Sequence, residues 1–123
     1  DSTGLTLLPF LAGERSPGWH DDASAVLAGL TIATRPEHLI RAGMESVAYR
    51  LAAVYDSLGP LCAADHRIIV SGGAILGMPA WLQIVADALG QPLTALASDD
   101  ETTARGAALT RLHEEVRTAL RGA

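Results

Sequence analysis

Between Thr34 and Gly59 apolar and small residues recur with a helical period. Leu39, Gly43, Val47, Leu51, Val54 and Leu58 form one stripe, and Ile40, Met44, Ala48 and Tyr55 run beside it. The pattern predicts a long helix with a wide buried face. Thr34-Arg35-Pro36-Glu37 reads as a capping box with proline in the first turn, and Gly59-Pro60 as the stop. Gly suits a left-handed cap, and Pro cannot extend the hydrogen-bond ladder. Upstream, Leu5 to Leu11 is apolar apart from Thr6 and Pro9 and is bracketed by Gly4 and Gly13, which predicts a buried strand bent at Pro9. A turn-rich loop follows from Glu14 to Asp22, and Ala25 to Leu30 predicts a second short strand. Downstream, Arg67-Ile68-Ile69-Val70 is a β-branched run that ends at Ser71-Gly72-Gly73-Ala74. A helix is expected from Pro79 through Trp81, Leu82, Val85, Ala86 and Leu89 to Gly90, then a strand from Pro92 to Leu96. Ser98-Asp99-Asp100-Glu101 is a second capping box, ahead of a helix from about Thr102 to Leu120. Alternation of strand and helix after a leading β segment implies an α/β fold, a mainly parallel sheet with helices packed on it.

At 123 residues the chain has room for one compact domain, and with 49% hydrophobic and 19% charged residues it reads as globular. A net charge of -5, with nine Arg among fourteen acids, excludes a basic face for nucleic acid. No apolar stretch reaches the roughly 20 residues of a membrane helix, so no membrane partner is expected. Cys62 is the one cysteine, so no internal disulfide can form; a core thiol and a reducing, cytoplasmic setting are the expectation. Lysine is absent, which rules out a Walker A loop and a lysine Schiff base. The opening at Asp1 instead of Met suggests a piece of a longer polypeptide.

The candidate chemistry centres on the glycine pair. Two glycines closing a strand allow backbone to approach a flat ring, ribose or phosphate that a Cβ would exclude, and in a parallel sheet ligands bind at that end. A tight turn needing positive φ is the plainer alternative. Gly72, Ala74 and Gly77 nearly match G-x-G-x-x-G, but the middle glycine is missing and Pro79 delays the helix, which disfavours a dinucleotide fold. Glu14, His20, Asp21 and Asp22 share one loop without the spacing of a closed zinc set. Their carboxylates are expected to be solvated or to cap turns, with Trp19 anchoring the loop. His38, His66 and His113 are expected to be exposed or structural. Arg105-Gly106-Ala107-Ala108 is a small-residue patch suited to close packing near the glycine pair.

Four blocks in order carry a resemblance. Leu8-Pro9-Phe10-Leu11-Ala12-Gly13-Glu14-Arg15-Ser16-Pro17-Gly18-Trp19 is the first, and Ala25, Gly29-Leu30, His38-Leu39, Ala42 and Glu45 make the second. Ser71 to Ala74 with Pro79 to Gly90 is the third, and Glu101 to Ala108 the fourth. Together they resemble the FGGY carbohydrate kinases, of the actin-like ATPase and sugar kinase superfamily. The Gly13 to Trp19 wording is most similar to gluconate kinases, then xylulose kinases. Departures are Gly43, Ser24-Ala25 where Arg-Gly is usual, and Met78 where Ser is common, which removes a capping hydroxyl.

The resemblance implies the C-terminal portion of a ribonuclease-H-like domain over residues 1–123, from a two-domain kinase that binds ATP and sugar or sugar acid in its cleft. It further implies ATP and Mg2+ as cofactors, a general-base aspartate upstream of this chain, and no catalytic residue or metal ligand within it. Gly72, Gly73 and Ala74 would line the adenine and ribose pocket, with Gly77 or Met78 at the rim and the Arg105 to Ala107 helix behind. The piece alone is expected to lack turnover. The alternative is a non-catalytic module that assembles as a homo-oligomer through an exposed face.

Overall fold

The computed structural model describes residues 4–96 together with Thr110, Arg111, Leu112, Glu115 and Arg117. Two short strands, β1 (Thr6–Leu8) and β2 (Val26–Ala28), pair antiparallel, with Leu7 opposite Leu27. The helix α1 (Pro36–Leu58) follows, then a 3₁₀ turn at Gly59–Leu61 and β3 (Ile68–Val70). A four-residue helix α2 (Gly73–Leu76), the helix α3 (Pro79–Leu89) and β4 (Leu93–Ala95) complete the order. β3 and β4 pair parallel, with Val70 opposite Ala95. The parallel pairing expected of a strand-helix-strand unit is therefore β3 with β4, and the leading segment forms a separate antiparallel pair.

β1 is shorter than the expected Leu5 to Leu11 run because Pro9 has no N–H to give the ladder. Of that run only Leu5 is buried. Gly29 closes β2 at φ 85, where a Cβ would collide with the Gly4 carbonyl oxygen. Gly29→Ala is therefore expected to cost more than about 2 kcal/mol, from the left-handed backbone and the collision together. The urea midpoint measures it; an unchanged midpoint would contradict this geometry.

α1 begins one residue later than its capping box suggests. The Thr34 hydroxyl accepts the Thr31 N–H at 2.9 Å inside the preceding turn, so Arg35 takes the N-cap position. The Arg35 N–H then donates to His38 Nδ1 at 3.3 Å. At the other end Gly59 stays right-handed at φ -46, and the chain tightens into the 3₁₀ turn around Pro60 in place of a left-handed cap. Cys62, at the exit of that turn, is exposed and not a core thiol. The short α2 was not expected from the pattern, whereas α3 has the expected limits.

The buried side of α1 is rotated from the expected stripe. Ala42, Glu45, Ser46 and Ala48 are buried, whereas Ile40 is 62% exposed and Leu39, Val47, Leu51 and Leu58 are also open. α1 packs chiefly on α3. Ala42 and Ala48 of α1 and Val85 of α3 are buried, and the Trp81 indole N–H donates across to the Met44 carbonyl at 3.3 Å. The second capping box, the start of the last helix and the Arg105 to Ala108 patch lie outside the described residues; Thr110, Arg111 and Leu112 are helical.

Candidate functional site

The glycine pair sits just past the C-terminal end of β3, in a parallel pair, where the last strand bond is Leu96 N–H to Val70 carbonyl at 2.8 Å. Gly72 holds φ 107 and ψ 132, a conformation that L side chains avoid, and turns the chain directly into α2. Among the described residues, nothing lies within 4 Å of where a Cβ on Gly72 or on Gly73 would stand. Gly72, Gly73 and Ala74 are all exposed, and Met78 is 41% exposed beside them. The corner is thus an open ledge of backbone. Gly77 serves differently, since a Cβ there would lie 2.8 Å from the Gly73 carbonyl, so it is needed to close the α2 turn. Hollows among the described residues include an open groove of about 870 Å³ along Pro79, Leu82, Ala86 and Pro92 and a pocket of about 190 Å³ between β1 and α1.

In the Glu14 loop Asp21 and Asp22 are exposed and Glu14 caps a turn, as expected, but Glu14 is also buried and paired with a distant charge. Glu14 exposes 8% of its side chain and accepts from Arg50 Nη2 at 2.5 Å and from the Gly18 N–H at 3.1 Å. Arg50 also donates to the Ser16 carbonyl and stacks 5.1 Å from the Phe10 ring centroid. Trp19, expected as the anchor, is 70% exposed at φ 57. Arg50 was missed in the sequence, although it is the one charged residue between Val47 and Leu51 of the apolar stripe, the only signal available. Burial raises the Glu14 carboxyl, but the Arg50 hydrogen bond, the Gly18 N–H and the charges of Arg50 and His20 outweigh it and hold it below the usual carboxylate range. A carboxyl depressed on folding stabilises the fold above its unfolded value, and that contribution is lost as pH falls through the folded value. Glu14→Gln should therefore flatten the fall in stability as pH drops below the ordinary glutamate range in urea unfolding. Parallel wild-type and variant curves there would contradict the brace.

His38 and His66 are structural. His66 Nδ1 faces the Ala63 carbonyl at 2.6 Å, so it carries the proton, and Nε2 accepts the Tyr55 hydroxyl at 2.8 Å. His38 caps α1 as above, and His113 lies outside the described residues. His20, Asp21 and Asp22 are exposed and are not brought together with the ledge by any contact described. Among the described residues no group of three or more His, Cys, Asp or Glu side chains converges. No helix among them is long and apolar enough to cross a membrane.

The family model described as the FGGY family of carbohydrate kinases, C-terminal domain, matches residues 1–114. The chain belongs to the FGGY family. Glycerol kinase of Trichormus variabilis is 34% identical to this FGGY chain over 109 residues, which cover 88% of the chain and 21% of the relative. Gluconokinase of Bacillus subtilis is 36% identical over 86 residues, 70% of the chain and 17% of the relative. Among solved structures, Plasmodium falciparum glycerol kinase with ADP aligns at a TM-score of 0.73 and 26% identity, over 81% of the chain and 20% of that protein. The chain spans about a fifth of the length of these relatives. The actin-like ATPase architecture expected from the four blocks is therefore present as an α/β portion with a small parallel sheet.

Proposed function

We propose that the chain supplies the adenosine side of the nucleotide site in an ATP-dependent kinase of sugars, sugar acids or related polyols. The observation that supports this is the ledge itself: Gly72 to Ala74 present bare backbone at the carboxyl end of a parallel strand, with room for a flat ring. A fold relative was solved with ADP, which agrees with a nucleoside diphosphate as ligand. Within the class, the Gly13 to Trp19 wording favours gluconate, then xylulose, and the glycerol kinases widen the range to small polyols. The general base, the phosphate-binding turns and the Mg2+ ligands belong in this reading to polypeptide outside these 123 residues. That polypeptide also covers the open apolar side of α1 and forms the second wall of the ledge. The setting proposed is the cytoplasm.

The test is a phosphorylation assay of the intact polypeptide with ATP and, in turn, gluconate, xylulose and glycerol. Saturable turnover on one of them is expected, and failure on all three with ATP would contradict the kinase reading. The second reading, a module that assembles through an exposed face, draws on Leu11 at 92%, Leu61 at 82% and the fully open Ile32. Sedimentation showing a tight dimer of a chain that does not bind ADP would favour it.

A further inference from the structure

We infer that Trp81 is a positioning residue for the nucleotide ledge, an inference that rests on the adenosine-side reading above. The ledge is made of residues that cannot hold themselves in place. Gly72 and Gly73 have no side chain and, among the described residues, touch nothing where one would stand, and Ala74 is exposed. Their position must come from what lies on either side of them. On one side Val70 is fixed in the sheet by the Leu96 N–H at 2.8 Å. On the other, an unbroken series of turns leads away from the ledge. Leu76 N–H donates to the Gly72 carbonyl at 3.1 Å, Gly77 to Gly73 at 2.9 Å, Met78 to Ile75 at 3.2 Å, and Trp81 to Met78 at 2.9 Å. Each link takes its place from the next, and the last is held by a side chain. The Trp81 indole N–H reaches across to the Met44 carbonyl in the middle of α1 at 3.3 Å. Met78, the large side chain between, is 41% exposed. Trp81 therefore fixes the far end of the coil whose near end is the purine wall, without touching the ligand.

Trp81→Phe removes the indole N–H and keeps most of the ring packing. In the intact polypeptide the dissociation constant for ADP is expected to rise about tenfold, the equivalent of one lost hydrogen bond. The Michaelis constant for ATP should rise with it, while that for the sugar stays unchanged. A role confined to stability would lower the melting temperature and leave ADP affinity of the folded protein intact, and that result would overturn the inference. Trp81→His, whose ring retains an N–H, should recover part of the affinity, and it serves as the second variant should the first fold poorly. Wild-type protein that binds no ADP would sink the adenosine-side reading and this inference together. Wild-type binding with both variants unchanged would sink this inference alone.

Discussion

Gly73→Ala leaves the fold at least as stable and weakens ADP binding by about tenfold or more. The two halves of this result have separate causes. Gly73 is the first residue of α2 and does not take a positive φ, so alanine is conformationally acceptable there. Its Cβ would meet nothing within 4 Å among the described residues, so none of them has to move. In a helix alanine is favoured over glycine by about 0.5–1 kcal/mol, so the melting temperature should hold or rise. The same methyl group stands in the space that a purine would occupy against the backbone. Stability gained while affinity is lost separates a ligand surface from a turn that merely needs glycine. Gly72 is the less informative position, because at φ 107 any side chain strains the fold and confounds the reading. Calorimetric titration with ADP beside a thermal melt measures both halves. Equal affinity in wild type and variant would contradict the ledge as a site.

The second large effect is the gap between the isolated chain and the intact polypeptide. The 123-residue chain is expected to transfer no phosphate from ATP to any sugar, and turnover should appear only with the rest of the polypeptide. Phosphoryl transfer depends on a positioned hydroxyl, a base to accept its proton and cations on the phosphates. Among the described residues the candidates for those roles are not gathered. Glu14 is committed to Arg50, His38 and His66 to backbone groups, and Asp21 and Asp22 are exposed in the Glu14 loop. The isolated chain should also bind a hydrophobic dye at the open face formed by Ile40, Val47 and Leu51 of α1, and lose that binding within the longer protein. Sugar phosphorylation by the chain alone would overturn this division of labour.

Much of the order of elements was legible in the sequence because it depends on local chemistry. Pro79 and Gly90 bracket α3 as expected, and the β-branched run at Ile68 to Val70 is a strand. The glycine pair was legible for the same reason, since Gly72 takes a backbone conformation that other residues avoid. What escaped the pattern depends on distant partners. The apolar stripes of α1 predicted its buried face, and Ala48 is buried as expected, yet Ala42, Glu45 and Ser46 are buried while Ile40, Val47 and Leu51 stay open. Periodicity identifies which residues can be buried, whereas the neighbours decide which of them are. The Glu14 brace was illegible because its partner Arg50 lies 36 residues away, and Trp19 was assigned an anchoring role that Arg50 and Phe10 fulfil. Cys62 was expected in the core on composition and instead follows Pro60 out of the 3₁₀ turn.

A purine lying against the backbone after β3 would distinguish a nucleotide site from a structural turn. Photolabelling of the intact polypeptide with an azido-adenosine diphosphate, followed by peptide mapping, tests that contact directly. Label on the segment from Ser71 to Met78, removed by competing ADP, is the predicted result. Specific, ADP-sensitive label confined to peptides outside that segment would contradict it.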